Sequence, residues 1–309
     1  MKLPNFVMTN VPLVRHSTLG VGGPADYFAV IAHDPVASKK LFSFEAKMIE
    51  ACEFARENKL DVFMLGHGSN VLFSDKGFRG LVLQIKTNDI WWGDDEKKNE
   101  LWADAGTSVA KLVHFGKMGG FTGFEFLAGL PGSVGGAVYG NAGCYGGEFW
   151  DIIEEVVFFD GEYIQTKKKH AGMFGYRWST FKENPNWIIL AVRLVVRLKG
   201  KKLVAIEIRR VRAGRLASQP EARSIGCIFK NPMLSSGRRV SAGKLIDRAS
   251  LKGSRIGRAM ISNVHGNFFV NLGGAKAKDF MELIKIAKGR VFEKFRILLE
   301  EEIIRVGEF

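Results

Sequence analysis

Apolar and polar positions alternate weakly over residues 25–32 (ADYFAVIA), the period of a strand. Residues 44–58 set Met48, Ile49, Cys52 and Phe54 at helical spacing and stop at Asn58, which predicts a helix. Residues 62–65 read as a short buried strand, the turn Gly66-His67-Gly68-Ser69-Asn70 follows, and 80–85 read as another strand. Strand, helix, strand, glycine turn, strand predicts a small α/β unit with the turn at a strand end, where ligands bind. Residues 88–100 are polar apart from Ile90, Trp91 and Trp92 and read as a loop or hairpin. A strand at 101–105, a helix at 108–118 and long strands at 152–159 and 187–198 predict a second unit with a mixed sheet. A basic amphipathic helix at 203–216 opens a third α/β unit, with helices at 241–250 and 276–295 around a strand at 267–271. Residues 303–306 read as a final strand returning to an earlier sheet.

The pattern breaks at 119–147, where eleven of 29 residues are Gly while Phe, Leu, Val and Tyr run throughout. Flexible glycine-rich linkers lack such apolar residues. The glycines let the backbone take positive φ and approach something flat or charged, and the apolar residues anchor it in a core. That combination predicts a rigid wall for a bound cofactor.

Composition narrows the function classes. A chain of 309 residues, 46% hydrophobic and 25% charged, is expected to form two or three globular domains. It has no apolar run long enough to span a bilayer, and the N-terminal residues lack the pattern of a signal peptide. Cys52, Cys144 and Cys227 are odd in number and far apart, which argues against a disulfide framework or a zinc site and fits a reducing cytoplasm. The six His are scattered, so no metal is expected. The net charge of +13 suits anionic small molecules on a solvated Lys/Arg surface, or a polyanion.

Glycine fingerprints discriminate further. Gly20-x-Gly22-x-x-Ala25 superficially matches the dinucleotide turn but precedes a strand instead of joining a strand to a helix. No phosphate-loop motif is present. Residues 65–70 offer backbone and side-chain donors in a tight curve with little bulk, either a nest for a diphosphate or an ordinary turn.

Residues 20–25, 65–70 with Gly77-Phe78-Arg79-Gly80, and 126–137 (FLAGLPGSVGGA) together resemble the UDP-N-acetylenolpyruvoylglucosamine reductase (UDP-N-acetylmuramate dehydrogenase) family. The resemblance continues through Asn141-Ala142-Gly143-x-Tyr145-Gly146, Tyr176-Arg177-x-Ser179-x-Phe181 and residues 226–232 (GCIFKNP). It ends with residues 242–246 (AGKLI), Leu251-Lys252-Gly253, His265-x-Asn267-Phe268 and Leu299-Glu300-x-Glu302, in family order along nearly the whole chain.

The resemblance implies an α/β (α+β) enzyme of peptidoglycan synthesis, cytoplasmic and monomeric. Two FAD-binding subdomains of the vanillyl-alcohol-oxidase type are expected at 1–86 and 87–203, a UDP-sugar-binding domain at 204–296, and a returning strand at 297–309. NADPH would reduce the FAD, which would reduce the enolpyruvyl ether of UDP-N-acetylglucosamine enolpyruvate to give UDP-N-acetylmuramate. The expected partners are these small molecules, without nucleic acid or membrane. FAD contacts are implied at Leu65, Gly66, His67, Gly68, Ser69, Asn70, Gly129, Pro131, Gly132, Ser133, Gly135, Gly136, Ala137, Asn141, Ala142 and Gly143.

Hydride transfer to the terminal enol carbon puts negative charge on the adjacent carbon and its carboxylate, so a cation must already stand there. Arg177 aligns with the family residue that does this, and a guanidinium fork matches a carboxylate; by itself Arg177 reads more readily as a surface ion-pair residue. Glu302 aligns with the family's acidic partner, although 300–302 alone reads as a solvated acidic run. Cys227 stands where the family usually has Ser, the proton donor to the carbanion. A thiol with a reference pKa of about 8.5 is protonated at neutral pH and can fill that role; the alternative is a small buried thiol. Arg215, Lys230, Asn231, Lys244, His265 and Asn267 are candidate contacts to the UDP-sugar or plain structural polar residues. Val264 replaces the Lys that often precedes the family's His, and no Tyr lies between Arg177 and Cys227, as in the shorter form lacking the tyrosine loop. Two rivals remain: another FAD oxidoreductase on the same fold, and a nucleic-acid-binding protein, whose basic stretch at 199–215 would lack aromatic residues for stacking.

Overall fold

A computed structural model describes residues 2–33, 44–93 and 100–309. The chain divides into two compact units, one of Met1–Met8, Phe28–His67 and Gly80–Arg215, the other of Thr9–Tyr27, Gly68–Arg79 and Leu216–Phe309. Among the described residues the α-helices are α1 Glu45–Glu57, α2 Val109–Gly119, α3 Val134–Gly140, α4 Lys201–Ser218, α5 Ala242–Arg248 and α6 Ala277–Phe295.

In the first unit, strand Asp61–Leu65 runs parallel to Phe78–Ile85, with Leu65 opposite Gln84. Only Leu65 of the shorter strand is buried, and Val62 is 38% exposed, so the expectation of a buried strand fails. The strand is the edge of its four-stranded sheet, where one flank faces solvent. A five-stranded antiparallel sheet follows the order Ile164–Lys168, Ile153–Phe159, Ile188–Val195, Glu100–Asp104, Ile90–Trp92. Ile90–Trp92 and Glu100–Asp104 pair as the predicted hairpin; residues 94–99 between them lie outside the described residues. The predicted strand at 187–198 breaks after Val195, and Arg197–Leu198 pairs instead with Phe121–Thr122.

Helix α3 was not expected. Three glycines in seven residues depress helix propensity by about 1 kcal/mol each. Tertiary support overrides this: the Ser133 side chain accepts from Gly136 N–H, and α3 lies on Ile188–Val195 and Glu100–Asp104.

The second unit holds the antiparallel strands Arg255–Ile256, Ala259–Ile261 and Phe269–Asn271, and a parallel pair of Ile304–Val306 with Val71–Phe73. Phe280, Leu283, Ile284, Ala287 and Val291 form one stripe on α6 and bury against Leu245, Ile246, Ile261 and Phe269. Asp75 holds the start of α6: its carboxylate accepts from Ala277 N–H at 2.8 Å and Lys278 N–H at 3.0 Å. Those amides have no intrahelical partner, and the anion also faces the positive end of the helix. Asp75→Ala should therefore cost about 1–2 kcal/mol, read as a lower urea midpoint at unchanged slope.

Candidate active site

The glycine segment forms a braced wall in the first unit. Gly129 and Gly132 take φ of +80° and +131°, where a side chain is strained. Gly135 packs on Ala105, and a Cβ at Gly66 would lie 2.3 Å from Ser133 Oγ, so glycine there lets the two loops close up. The N–H groups of Val134 and Gly135 donate to Thr107 and Ala105 carbonyls at 2.8 and 2.7 Å. Those of Gly129, Gly132 and Ser133 donate to no protein acceptor among the described residues. One turn apart on α3, Gly136 and Gly140 are bare: a Cβ at Gly136 would meet only Ser133 Oγ at 3.4 Å, and one at Gly140 nothing within 4 Å. Open donors beside a bare strip on an apolar support suit a flat ring and a diphosphate.

The remaining predicted FAD residues of this unit divide by role. Leu65 and Ala137 are core, Pro131 is exposed, and Ala142 N–H donates to Ala137 at the end of α3. His67 Nε2 lies 3.1 Å from the Gly106 carbonyl. Burial pulls its pKa down and Lys86 adds to this, against the carbonyl's opposite effect. The Asn141 amide donates to Glu148 Oε2 and Gly175 O at 2.8 and 2.9 Å and accepts from Trp150 N–H, so its side chain braces the wall.

Two arginines reach the wall. Arg177, at φ +55°, donates to the Gly143 carbonyl at 2.8 Å and the Asn141 carbonyl at 3.3 Å, which ties its guanidinium to the end of the glycine segment that follows α3. Arg215, 6% exposed, donates to Ala128 O at 2.8 Å and to Cys144 Sγ at 2.7 Å, with its guanidinium over the Tyr145 ring. Arg215 was expected to contact the sugar; its donors instead hold the main chain beside Gly129. Sequence reading missed Cys144 and Tyr145 as its partners, since both lie about 70 residues before it in the chain.

In the second unit, the 227–230 segment lies between two others. Cys227 bridges to Phe268, Ile228 N–H donates to the Asn267 carbonyl, and Asn267 clamps both main-chain groups of Phe229 at 2.9 and 2.8 Å. On the other flank Phe229 bridges to Glu301, and Glu302 N–H donates to the Ile228 carbonyl at 2.8 Å. This sets Cys227 and Glu302 on neighbouring segments. The acidic run is differentiated: Glu300 pairs with Lys230, and Glu301 with Lys288 and Arg305. The main chain of Glu302 is pinned on both sides, because its carbonyl accepts from Asn70 Nδ2 at 3.1 Å.

Gly68-Ser69-Asn70 is anchored from outside. Gly68 O accepts from Thr18 N–H at 3.1 Å and Asn70 O from Ile304 N–H at 3.0 Å. The N–H groups of Gly68, Ser69 and Asn70 donate to no protein acceptor among the described residues, which favours a nest over a self-closed turn. Among the sugar candidates, Asn231 Oδ1 accepts from Ala242 N–H at the start of α5, while Lys244 is exposed in its first turn. His265 Nδ1 accepts from Asn267 N–H at 3.1 Å, and burial, followed by Lys252, holds its pKa down. One cluster of metal-ligand types exists among the described residues, His33, Asp89 and Asp104. The buried Asp104 carboxylate already accepts from Asp89 N–H at 2.7 Å and sits 2.6 Å from His33 Nε2, so we assign it no ion.

Comparison with known proteins agrees with this geometry. A family described as FAD binding domain matches residues 43–166, and one described as UDP-N-acetylenolpyruvoylglucosamine reductase, C-terminal domain, matches 219–306. Curated UDP-N-acetylenolpyruvoylglucosamine reductases from Syntrophus aciditrophicus and Geotalea uraniireducens are 35% and 37% identical, over 98% and 96% of this chain and 92% and 93% of theirs. The crystal structure of the Thermus caldophilus enzyme superposes with a TM-score of 0.76 at 36% identity, covering 97% of this chain and 98% of that one. The chain belongs to the UDP-N-acetylenolpyruvoylglucosamine reductase family.

Proposed function

We propose that this chain is an FAD-dependent reductase that converts UDP-N-acetylglucosamine enolpyruvate and NADPH, with one proton, to UDP-N-acetylmuramate and NADP+. The observation that carries the reading is the glycine wall with its open donors and Arg177 set against it. The glycine wall and its open donors would hold FAD, which would supply hydride transfer from NADPH to the terminal enol carbon. Arg177 offers its guanidinium to the negative charge that grows on the substrate carboxylate. Cys227 delivers its thiol proton to the adjacent carbon, and Glu302 polarises the carboxylate. Lys230, Lys244 and His265 are the contacts we assign to the UDP-sugar. Flavin binding is assigned to 1–203 with Arg215, and sugar binding to the rest of 204–296, in a cytoplasmic monomer.

Purified protein should show a flavin absorbance spectrum and oxidise NADPH only when UDP-N-acetylglucosamine enolpyruvate is supplied. A protein that stays colourless after FAD is added, or one that oxidises NADPH equally without the sugar, would overturn the assignment.

A further inference from the structure

One corner of the first unit has no part in this chemistry. Phe121–Thr122 pairs with Arg197–Leu198, and Lys199 and Gly200 N–H both donate to the Gly120 carbonyl, which draws the end of α2 to the start of α4. Four large apolar side chains stand out from this corner: Met118 at 56% exposure, Leu198 at 77%, Leu203 at 55% and Ile206 at 45%. Leu203 and Ile206, three residues apart, share one face of α4. That helix buries only Val204, Val211 and Arg215, a narrow stripe that leaves most of its circumference open. Lys117, Arg197, Lys199, Lys201 and Lys202 are exposed around the apolar four. Glu207, in the second turn of α4, faces Lys199, and it is the single acidic residue in 105–124 and 196–207 to set against these five cations.

We infer that this corner docks on an anionic phospholipid surface. Exposed aliphatic side chains beside a surplus of cations match a headgroup layer: the cations meet lipid phosphates and the apolar tips enter the acyl boundary. Long Lys and Arg stems span that boundary while their charges stay at the phosphates. A soluble acidic protein or a nucleic acid would satisfy the cations but leave the aliphatic tips in water. Surface contact needs no membrane-spanning segment, and among the described residues no helix is long and apolar enough to cross a bilayer. The inference revises the expectation, drawn from sequence, of no membrane partner, and it does not depend on the enzymatic assignment.

Cosedimentation of the full chain, loaded with FAD, with phosphatidylglycerol/phosphatidylcholine vesicles tests it. Binding should appear on mixed vesicles, be absent on pure phosphatidylcholine, and weaken as salt rises. Lys199→Glu/Lys202→Glu should weaken it by about tenfold or more. Leu198→Ser/Leu203→Ser, which keeps every charge, should also weaken it severalfold, with flavin content unchanged in both variants. Absence of binding to the anionic vesicles overturns the inference, as does equal binding by the Leu→Ser pair. Retention on heparin through the same lysines without vesicle binding points to a soluble polyanion and overturns it too.

Discussion

Cys227→Ala should lower turnover of UDP-N-acetylglucosamine enolpyruvate by roughly 10²–10⁴-fold, the usual worth of a positioned general acid, while reduction of the flavin by NADPH proceeds at the wild-type rate. The two half-reactions differ in what they need. Hydride arrival at the flavin needs no proton from the protein, whereas the substrate carbanion must be protonated at carbon. Stopped-flow absorbance separates them: the bleaching phase should be unchanged and the reoxidation phase slow. Cys227→Ser should recover most of the loss, because the Phe268 bridge and the bond from Glu302 N–H to Ile228 place the side chain through main-chain contacts that the substitution leaves intact. The competing view of Cys227 as an inert small thiol suits Cys52 better. There burial, with the Glu53 charge next to it, pushes the pKa up to about 11. Full turnover in Cys227→Ala would remove the thiol from the mechanism.

The catalytic candidates came from their place in motifs that resemble one family, and the fold adds local contacts that those motifs do not contain. Glu302 could not be told from Glu300 and Glu301 by local sequence. The fold gives its neighbours distinct partners, Lys230 for Glu300 and Lys288 for Glu301, 70 and 13 residues away, which local sequence does not reveal. The partners of Arg215 are hidden in the same way: the turn of α4 that carries it faces Ala128 and Cys144, 87 and 71 residues away. The amphipathic helices read well, since burial of one face leaves a periodic trace: α6 matches its prediction to within a residue. Helix α3 leaves no such trace. Its stability comes from the Ser133 cap and the sheet beneath it, and its glycines answer to space and not to propensity.

Those glycines separate two requirements that sequence reading merges, and a pair of alanine substitutions should pull them apart. Gly68→Ala should be strongly destabilised. Its φ of +66° costs an alanine about 1 kcal/mol, and the new Cβ would lie 2.0 Å from the His16 carbonyl oxygen. The loop cannot retreat, because Thr18 N–H holds the Gly68 carbonyl at 3.1 Å. A total loss of at least about 3 kcal/mol follows, seen as a large drop in the urea midpoint of the apoprotein. Gly136→Ala should behave oppositely. The position is helical, the nearest atom to the added Cβ is Ser133 Oγ at 3.4 Å, and alanine gains about 1 kcal/mol in helix propensity. The apoprotein should be as stable as the wild type or more so. Yet the methyl group stands on the bare face of α3, where a flat ligand can approach only if nothing projects, so FAD affinity should fall at least about tenfold, and Gly140→Ala should act alike. Titration of apoprotein with FAD, followed by flavin fluorescence, reads this directly. Unchanged affinity in both helix variants would mean that the bare strip is not the flavin wall, and the open N–H groups of Gly129, Gly132 and Ser133 would then have to hold the cofactor on their own side of the segment.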